Sequence, residues 1–273
     1  MKVAILGGAG VRVPLLVRAL AASGLGISEI SLFDTDGPRL QVIADLTRVM
    51  AETVPITVHQ RPEPCIDGAR FVVASIREGG SRRRADDEAT ALAHGVLAQE
   101  TVGAVGFAMA LRSIPAMVQY AHMVERLAPS AWLITFTNPV SIVTQAVHEE
   151  TGARLIGICD TPYEIFEDTA HALGLKATAC TYDYFGLNHL GWLREVTHAG
   201  TQHMHELWMG DFTRVARPTG HDPAIWLQND LIIISPLSRF ESIKHRLRTS
   251  TALGEKQCQQ EEQGLGFMFH VHA

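Results

Sequence analysis

Lys2-Val3-Ala4-Ile5-Leu6-Gly7-Gly8-Ala9-Gly10 is the stretch that decides the fold. A short β-branched run ends at once in a glycine turn, and an apolar pattern through Leu15, Leu16, Ala19 and Leu20 follows at helical spacing. The order is strand, turn, helix. Gly7, Gly8 and Gly10 let a backbone approach a pyrophosphate closely, and the N-terminus of the helix offers that group unpaired N–H donors and the positive end of a dipole. A second strand, Ile30 to Phe33, ends at Asp34, 24 residues past Gly10 (34 − 10). An acidic side chain in that place is where a dinucleotide fold meets a ribose hydroxyl.

Outward from this unit, strands at Pro55 to Val58, Phe71 to Ile76 and Trp132 to Phe136 alternate with helical patterns. Such alternation predicts an α/β protein with a Rossmann-like, doubly wound parallel sheet. Arg77 to Gly106 is a polar, glycine-bearing insert. For Arg82 to Arg84 and Asp86 to Glu88 the expectation is a solvated helix carrying i,i+4 charge pairs. Arg77 and Glu100 stand beside glycine-rich or apolar junctions, where a charge needs a partner or a ligand. Thr137-Asn138-Pro139 ends a strand, so Asn138 serves either as a cap for the next helix, with Pro139 at its first position, or as a ligand-binding amide at the sheet edge.

Leu155-Ile156-Gly157-Ile158-Cys159-Asp160-Thr161-Pro162 reads as a buried strand from whose carboxyl end a thiol, a carboxylate and a hydroxyl emerge together, the edge at which ligands bind. Phe185-Gly186-Leu187-Asn188-His189 likewise ends an apolar run in an amide and an imidazole. Cys159 and His189 both suit a divalent metal, yet they lie 30 residues apart (189 − 159), without close metal-ligand spacing. Spacing alone favours a buried thiol and a hydrogen-bonded core histidine. Trp192 to Val196 looks like one more strand, and His203 and His205 fall in a helical stretch. From about Leu231 the pattern loses its regularity.

The 273 residues suffice for one large or two modest domains, expected as 1–160 for the dinucleotide and 161–273 for the rest. A net charge of −6 gives no basic field for nucleic acid, and no apolar run approaches a membrane span. Met1-Lys2 leads straight into a strand, so a cytoplasmic protein is expected. Its four cysteines, Cys65, Cys159, Cys180 and Cys258, are scattered and read as reduced thiols.

Five segments together resemble glycoside hydrolase family four, NAD- and manganese-dependent enzymes acting on 6-phospho-β- and 6-phospho-α-glucosides. They are Gly7-Gly8, Gln99-Glu100-Thr101 with Gly106 to Arg112, Phe136-Thr137-Asn138-Pro139, Gly157 to Pro162, and Gly186-Leu187-Asn188-His189. The resemblance implies NAD, Mn²⁺ or a similar divalent metal, and a phosphorylated disaccharide or glycoside as substrate, in a homo-oligomer, and it makes 161–273 an incomplete α+β substrate and metal domain. It makes Cys159 and His189 the metal ligands and so reverses the preference that spacing gave. It also gives Asn138 and Asn188 the substrate hydroxyls, places Glu100 where substrate meets cofactor, and assigns Arg77 to the sugar phosphate. Glu100 and Asn138 are then the catalytic candidates. The Asn-Pro and Cys-Asp-x-Pro forms lean towards β-linked 6-phosphoglucosides.

The chemistry this implies differs from the usual pair of carboxyl groups. NAD takes hydride from C3, the ketone acidifies the C2 proton, a base removes it, the C1 substituent leaves, water adds, and the hydride returns. The family's tyrosine base follows a Pro-Ser-Pro segment, whereas the matching place here is Ile234-Ser235-Pro236-Leu237, and leucine takes no proton. Tyr182 and Tyr184 precede His189 and do not match it. This departure and the unfamiliar tail predict a truncated or frame-altered member with weak or absent hydrolysis. Two other readings compete: a lactate/malate-type dehydrogenase using His189 as a general base without metal, and a catalytically inactive NAD- or sugar-phosphate-binding protein.

Overall fold

The structure is a computed structural model that describes residues 1–96, 98–187 and 189–203. Six strands, β1 (Lys2–Leu6), β2 (Glu29–Phe33), β3 (Ile56–His59), β4 (Phe71–Ala74), β5 (Trp132–Thr135) and β6 (Leu155–Gly157), form one sheet in the order β3-β2-β1-β4-β5-β6. All its pairs are parallel, with Val3 opposite Ile30 and Phe71, and Leu133 opposite Leu155. This is the doubly wound dinucleotide-binding order, whose strands reverse direction of travel beside β1.

Alternation along β1 explains the two faces. Val3 and Ile5 join Ile30 and Leu32 against α1 (Val13–Ala22) and α2 (Gly37–Met50) through Val13, Val17, Leu40 and Ile43. Ala4 and Leu6 turn to the opposite face, where α5 (Gly103–Leu127) supplies Met117, Ala121 and Val124 and α6 (Val140–Glu150) supplies Val143 and Val147. Each fully buried side chain of this kind contributes about 1.5–3 kcal/mol of transfer free energy. A short α3 (Pro62–Ile66) adds Cys65 and Ile66 to the second face.

The chain divides into a first unit, residues 1–80 and 108–158, and a second that among the described residues comprises 81–107 and 159–203. In the second, α7 (Thr161–Ala172) packs on an antiparallel sheet of β7 (Cys180–Leu187), β8 (Leu190–His198) and β9 (Thr201–Gln202), in the order β7-β8-β9. Ile165, Leu193 and Val196 form its core, and Phe166 stacks on Tyr182 with ring centroids 4.2 Å apart. The insert carries α4 (Gly80–Ala93), whose Ala91 meets Ala98 and Val105.

Three expectations are corrected. The strand at Leu155 is not buried but lies at the sheet edge, paired only with β5 among the described residues, so Ile156 is 43% exposed. Within α4, Arg83 and Asp86 do form an exposed pair at 3.8 Å, but Glu88 is buried, because Arg84 turns inward with it. His203 follows β9 outside any helix or strand, its N–H donating to Val196 O at 2.9 Å, and is not helical. His205, Cys258 and the strand-like 231–234 lie outside the described residues. Cys65, Cys159 and Cys180 are free thiols, and among the described residues no helix is long and apolar enough to cross a membrane.

Candidate functional site

In the first unit the chain leaves β1 at Gly7 with φ +86°, and the N–H groups of Gly7 and Gly8 donate to Phe33 O at 3.0 and 2.9 Å. A Cβ on Gly7 would lie 2.0 Å from Ser75 O, and one on Gly8 would lie 3.0 Å from Leu40 and 3.1 Å from Leu32. Close approach within the sheet therefore demands these glycines before any ligand does. Gly10 donates to Gly7 O and accepts from Val13 N, each at 3.0 Å, which carries the turn into α1. No side chain caps α1, whose N-cap is Arg12.

Asp34 locks the same turn. One carboxylate oxygen accepts from Ala9 N–H at 2.9 Å and the other from Asp36 N–H at 3.0 Å. Gly7, Gly8, Gly10 and Asp34 thus converge at the carboxyl ends of β1 and β2, and an uncapped helix N-terminus beside an acidic strand end fits a dinucleotide. Tyr120, which sequence reasoning missed, packs edge-on against Phe33 at 6.5 Å. Burial, and then the charges of Glu78 and Asp34, push its phenol up, so it stays neutral at physiological pH. No local pattern in α5 marks it.

Arg77 and Asn138 follow the neighbouring strands β4 and β5. Ile76 N–H donates to Thr137 Oγ1 at 3.1 Å, so both candidates sit one residue beyond a link between the two strand-end loops. The capping role considered for Asn138 fails: α6 begins at Val140, Pro139 is its N-cap, and no side chain caps it. That leaves a half-buried amide at the sheet's carboxyl edge. Asn188 and Leu237 lie outside the described residues.

In the second unit, Cys159 Sγ lies 3.3 Å from His189 Nε2. Each end is set locally. Cys159 stands just ahead of α7, where the hydroxyl and backbone N–H of Thr161 also reach its sulfur. His189 occupies the two-residue connection between β7 and β8 with φ +56°, a conformation that two-residue hairpins require and that histidine adopts more readily than most residues. Thiolate sulfur and imidazole nitrogen are both ligands for divalent metals, and at 3.3 Å the two donors are close enough for one ion to be held by both. The pair therefore fits a shared divalent metal. Among the described residues no group of three or more His, Cys, Asp or Glu gathers to hold one.

Burial, the largest single influence on the Cys159 thiol, pushes it up. Hydrogen bonds from His189 and from Thr161 together outweigh burial, and the net shift is downward from 9.0. A lowered folded pKa means that thiolate persists as pH falls below the unfolded value. Alkylation of Cys159 by iodoacetamide, followed by peptide mass spectrometry in metal-free buffer, is expected to reach half its maximal rate below pH 9 and to shift to higher pH in His189→Ala. A profile unmoved by that substitution would show that the imidazole does not hold the thiolate.

Glu100, also in the second unit, meets Arg84 NH1 through Oε2 at 3.0 Å. Gln99 Oε1 accepts from Thr101 N–H, Thr101 hydroxyl and Val102 N–H at 2.6, 2.9 and 2.8 Å, closing the turn that presents Glu100. Arg84 and Gln99 were given no role at the site from sequence, whereas the Thr161 hydroxyl was already read beside Cys159 at the ligand-binding edge. The spacing of Arg84 to Glu88 was visible, but its burial was not.

A sequence profile of the Family 4 glycosyl hydrolases matches residues 2–175. The 6-phospho-beta-glucosidase of Escherichia coli K12 is 36% identical over 220 residues, 77% of this chain and 49% of its own length. The 6-phospho-alpha-glucosidase 1 of Lacticaseibacillus paracasei is 35% identical over 203 residues, 71% of this chain and 46% of its own length. The chain thus spans about half the length of these curated relatives. The 6-phospho-beta-glucosidase of Thermotoga maritima, solved with manganese, NAD⁺ and glucose-6-phosphate, superposes with a TM-score of 0.78 at 24% identity over 97% of this chain and 66% of that one. A malate dehydrogenase of Cryptosporidium parvum is more distant, with a TM-score of 0.55 at 15% identity, a likeness of fold alone. The extent of the profile match and the strength of these relatives decide the matter: the chain belongs to family 4 of the glycosyl hydrolases.

Proposed function

We propose that this chain acts in the NAD- and divalent-metal-dependent hydrolysis of 6-phosphoglycosides, with 6-phospho-β-glucosides as the favoured class. The observation that carries the reading is the 3.3 Å approach of Cys159 Sγ to His189 Nε2, two donors remote in sequence and alike suited to one cation. When bound, the dinucleotide would supply an oxidant for a sugar carbon and the divalent ion a Lewis acid, the latter typically worth several kcal/mol.

The chain's own residues then have distinct tasks. Gly7, Gly8 and Gly10 shape the turn that would seat the pyrophosphate, and Asp34 meets a ribose hydroxyl. Cys159 and His189 hold the metal, the first as thiolate and the second as neutral imidazole. Asn138 and Asn188 hold sugar hydroxyls, Arg77 pairs with the phosphate, and Glu100 stands where substrate meets cofactor. Residues 1–160 carry the dinucleotide turn together with Arg77, Glu100, Asn138 and Cys159, and 161–273 carry the remaining substrate and metal residues, in a cytoplasmic homo-oligomer.

The test is release of p-nitrophenol from p-nitrophenyl 6-phospho-β-glucoside with NAD, Mn²⁺ and a thiol reductant. Turnover is expected to need all three and to stop with chelator. Turnover that survives chelation would sink the metal reading, whereas NAD reduction without p-nitrophenol release would favour a dehydrogenase-like site. Tight NAD binding with no turnover favours the binding-protein reading, which the leucine at position 237 supports. The cofactor assignment has a separate test, because Asp34→Ala removes two acceptors from the turn. By titration calorimetry it is expected to weaken NAD about tenfold. An unchanged affinity would place the dinucleotide elsewhere.

A further inference from the structure

We propose that Glu88 is a positioning residue whose buried carboxylate aims the Arg84 guanidinium so that Arg84 fixes the carboxylate of Glu100. The inference rests on the reading of Glu100 as the residue where substrate meets cofactor. Arg84 Nε donates to Glu88 Oε1 at 2.7 Å, and Arg84 NH1 meets Glu100 Oε2 at 3.0 Å. The side chains are 6%, 25% and 16% exposed for Glu88, Arg84 and Glu100, so solvent screens this chain of charges little. A guanidinium is planar and rigid, and holding its Nε therefore sets the direction of its NH1.

Glu100 is gripped at both ends. Its backbone is fixed by the turn that Gln99 closes with three hydrogen bonds, and its head by Arg84. A stabilising role does not account for Glu88. A helix i,i+4 pair returns little stability, whereas a carboxylate withdrawn from water costs more than that pair returns. Placing the charge inside is explained by what it orients, the guanidinium of Arg84 that reaches Glu100.

Glu88→Ala, Glu88→Gln and Arg84→Lys are compared with the wild-type chain in the NAD- and Mn²⁺-dependent assay, alongside thermal unfolding and a crystal structure of Glu88→Ala. Because misplacement by about 1 Å of a group at the chemistry costs up to a hundredfold, Glu88→Ala is expected to lower kcat at least about tenfold with KM changed less than about twofold. Glu88→Gln keeps an oxygen that accepts from Arg84 Nε and recovers to within about threefold of wild type, while Arg84→Lys, with no rigid fork, falls with Glu88→Ala. In the Glu88→Ala crystals the Arg84 to Glu100 pair opens beyond about 4 Å, the limit of an ion pair. Wild-type kcat in Glu88→Ala, a loss that follows the melting temperature and is not recovered by glutamine, or an unchanged Arg84 to Glu100 contact would each overturn the proposal. A wild-type chain without turnover overturns the glycosidase reading alone, and the crystallographic distance then decides this one.

Discussion

Cys159→Ala is expected to weaken Mn²⁺ binding at least about a hundredfold and, on the proposed 6-phosphoglucosidase reading, to take turnover with it. On the proposed reading the sulfur shares one ion with the imidazole, and the pair approaches to 3.3 Å although 30 residues separate its members (189 − 159). If the two donors hold the ion together, neither alone retains it, and removing one leaves the other side chain without its partner. His189→Ala is then expected to match Cys159→Ala, and the double substitution to be hardly worse than either single one, as two side chains sharing one ion would require. Electron paramagnetic resonance of Mn²⁺ titrated into each variant reads the affinity without relying on catalysis. Losses that multiply independently, or affinity that survives in Cys159→Ala, would separate the thiol from the metal.

The second large effect is on folding. Gly7→Ala is expected to lower stability by about 3 kcal/mol or more, against the roughly 1 kcal/mol of an average substitution. Two costs combine there. An alanine at φ +86° loses about 1–2 kcal/mol to its left-handed backbone, and its Cβ would sit 2.0 Å from Ser75 O, a backbone atom at the end of β4. Relief requires moving β4 away from β1, which Ser75 N–H holds by donating to Leu6 O at 2.9 Å. Urea unfolding followed by circular dichroism measures the change. Gly10→Ala is the control, since its Cβ would meet Gly7 O at 3.2 Å and its φ lies outside the positive region. Equal stability of Gly7→Ala and wild type would mean that the turn relaxes freely.

The sheet was legible because its signals are local. Lys2 to Leu6 appears as the expected strand, residue for residue, and the other five core strands agree within two residues at each end. β-branched runs, glycine turns and helical spacing each depend on a few neighbours in sequence. What could not be read depends on distant chain. Ile156 looks as apolar as Ile134, but only the strand order makes one an edge residue. Glu88 carries the spacing of a surface ion pair, and only the position of Glu100 explains why Arg84 turns inward. The meeting of Cys159 and His189 was invisible to spacing and entered through resemblance. The hairpin that presents His189 lacks the Asn-Gly signature of such turns, so it too escaped notice.

That hairpin constrains how this protein can vary. Leu187 pairs with Leu190 and Gly186 with Gly191, so the imidazole is borne by a connection with no slack on either side. One inserted residue would swivel the ring off its heading, and one deleted residue would throw β8 onto the wrong face of its sheet. Mutant libraries aimed at new substrates should keep residues 187 to 190 at constant length and seek diversity elsewhere.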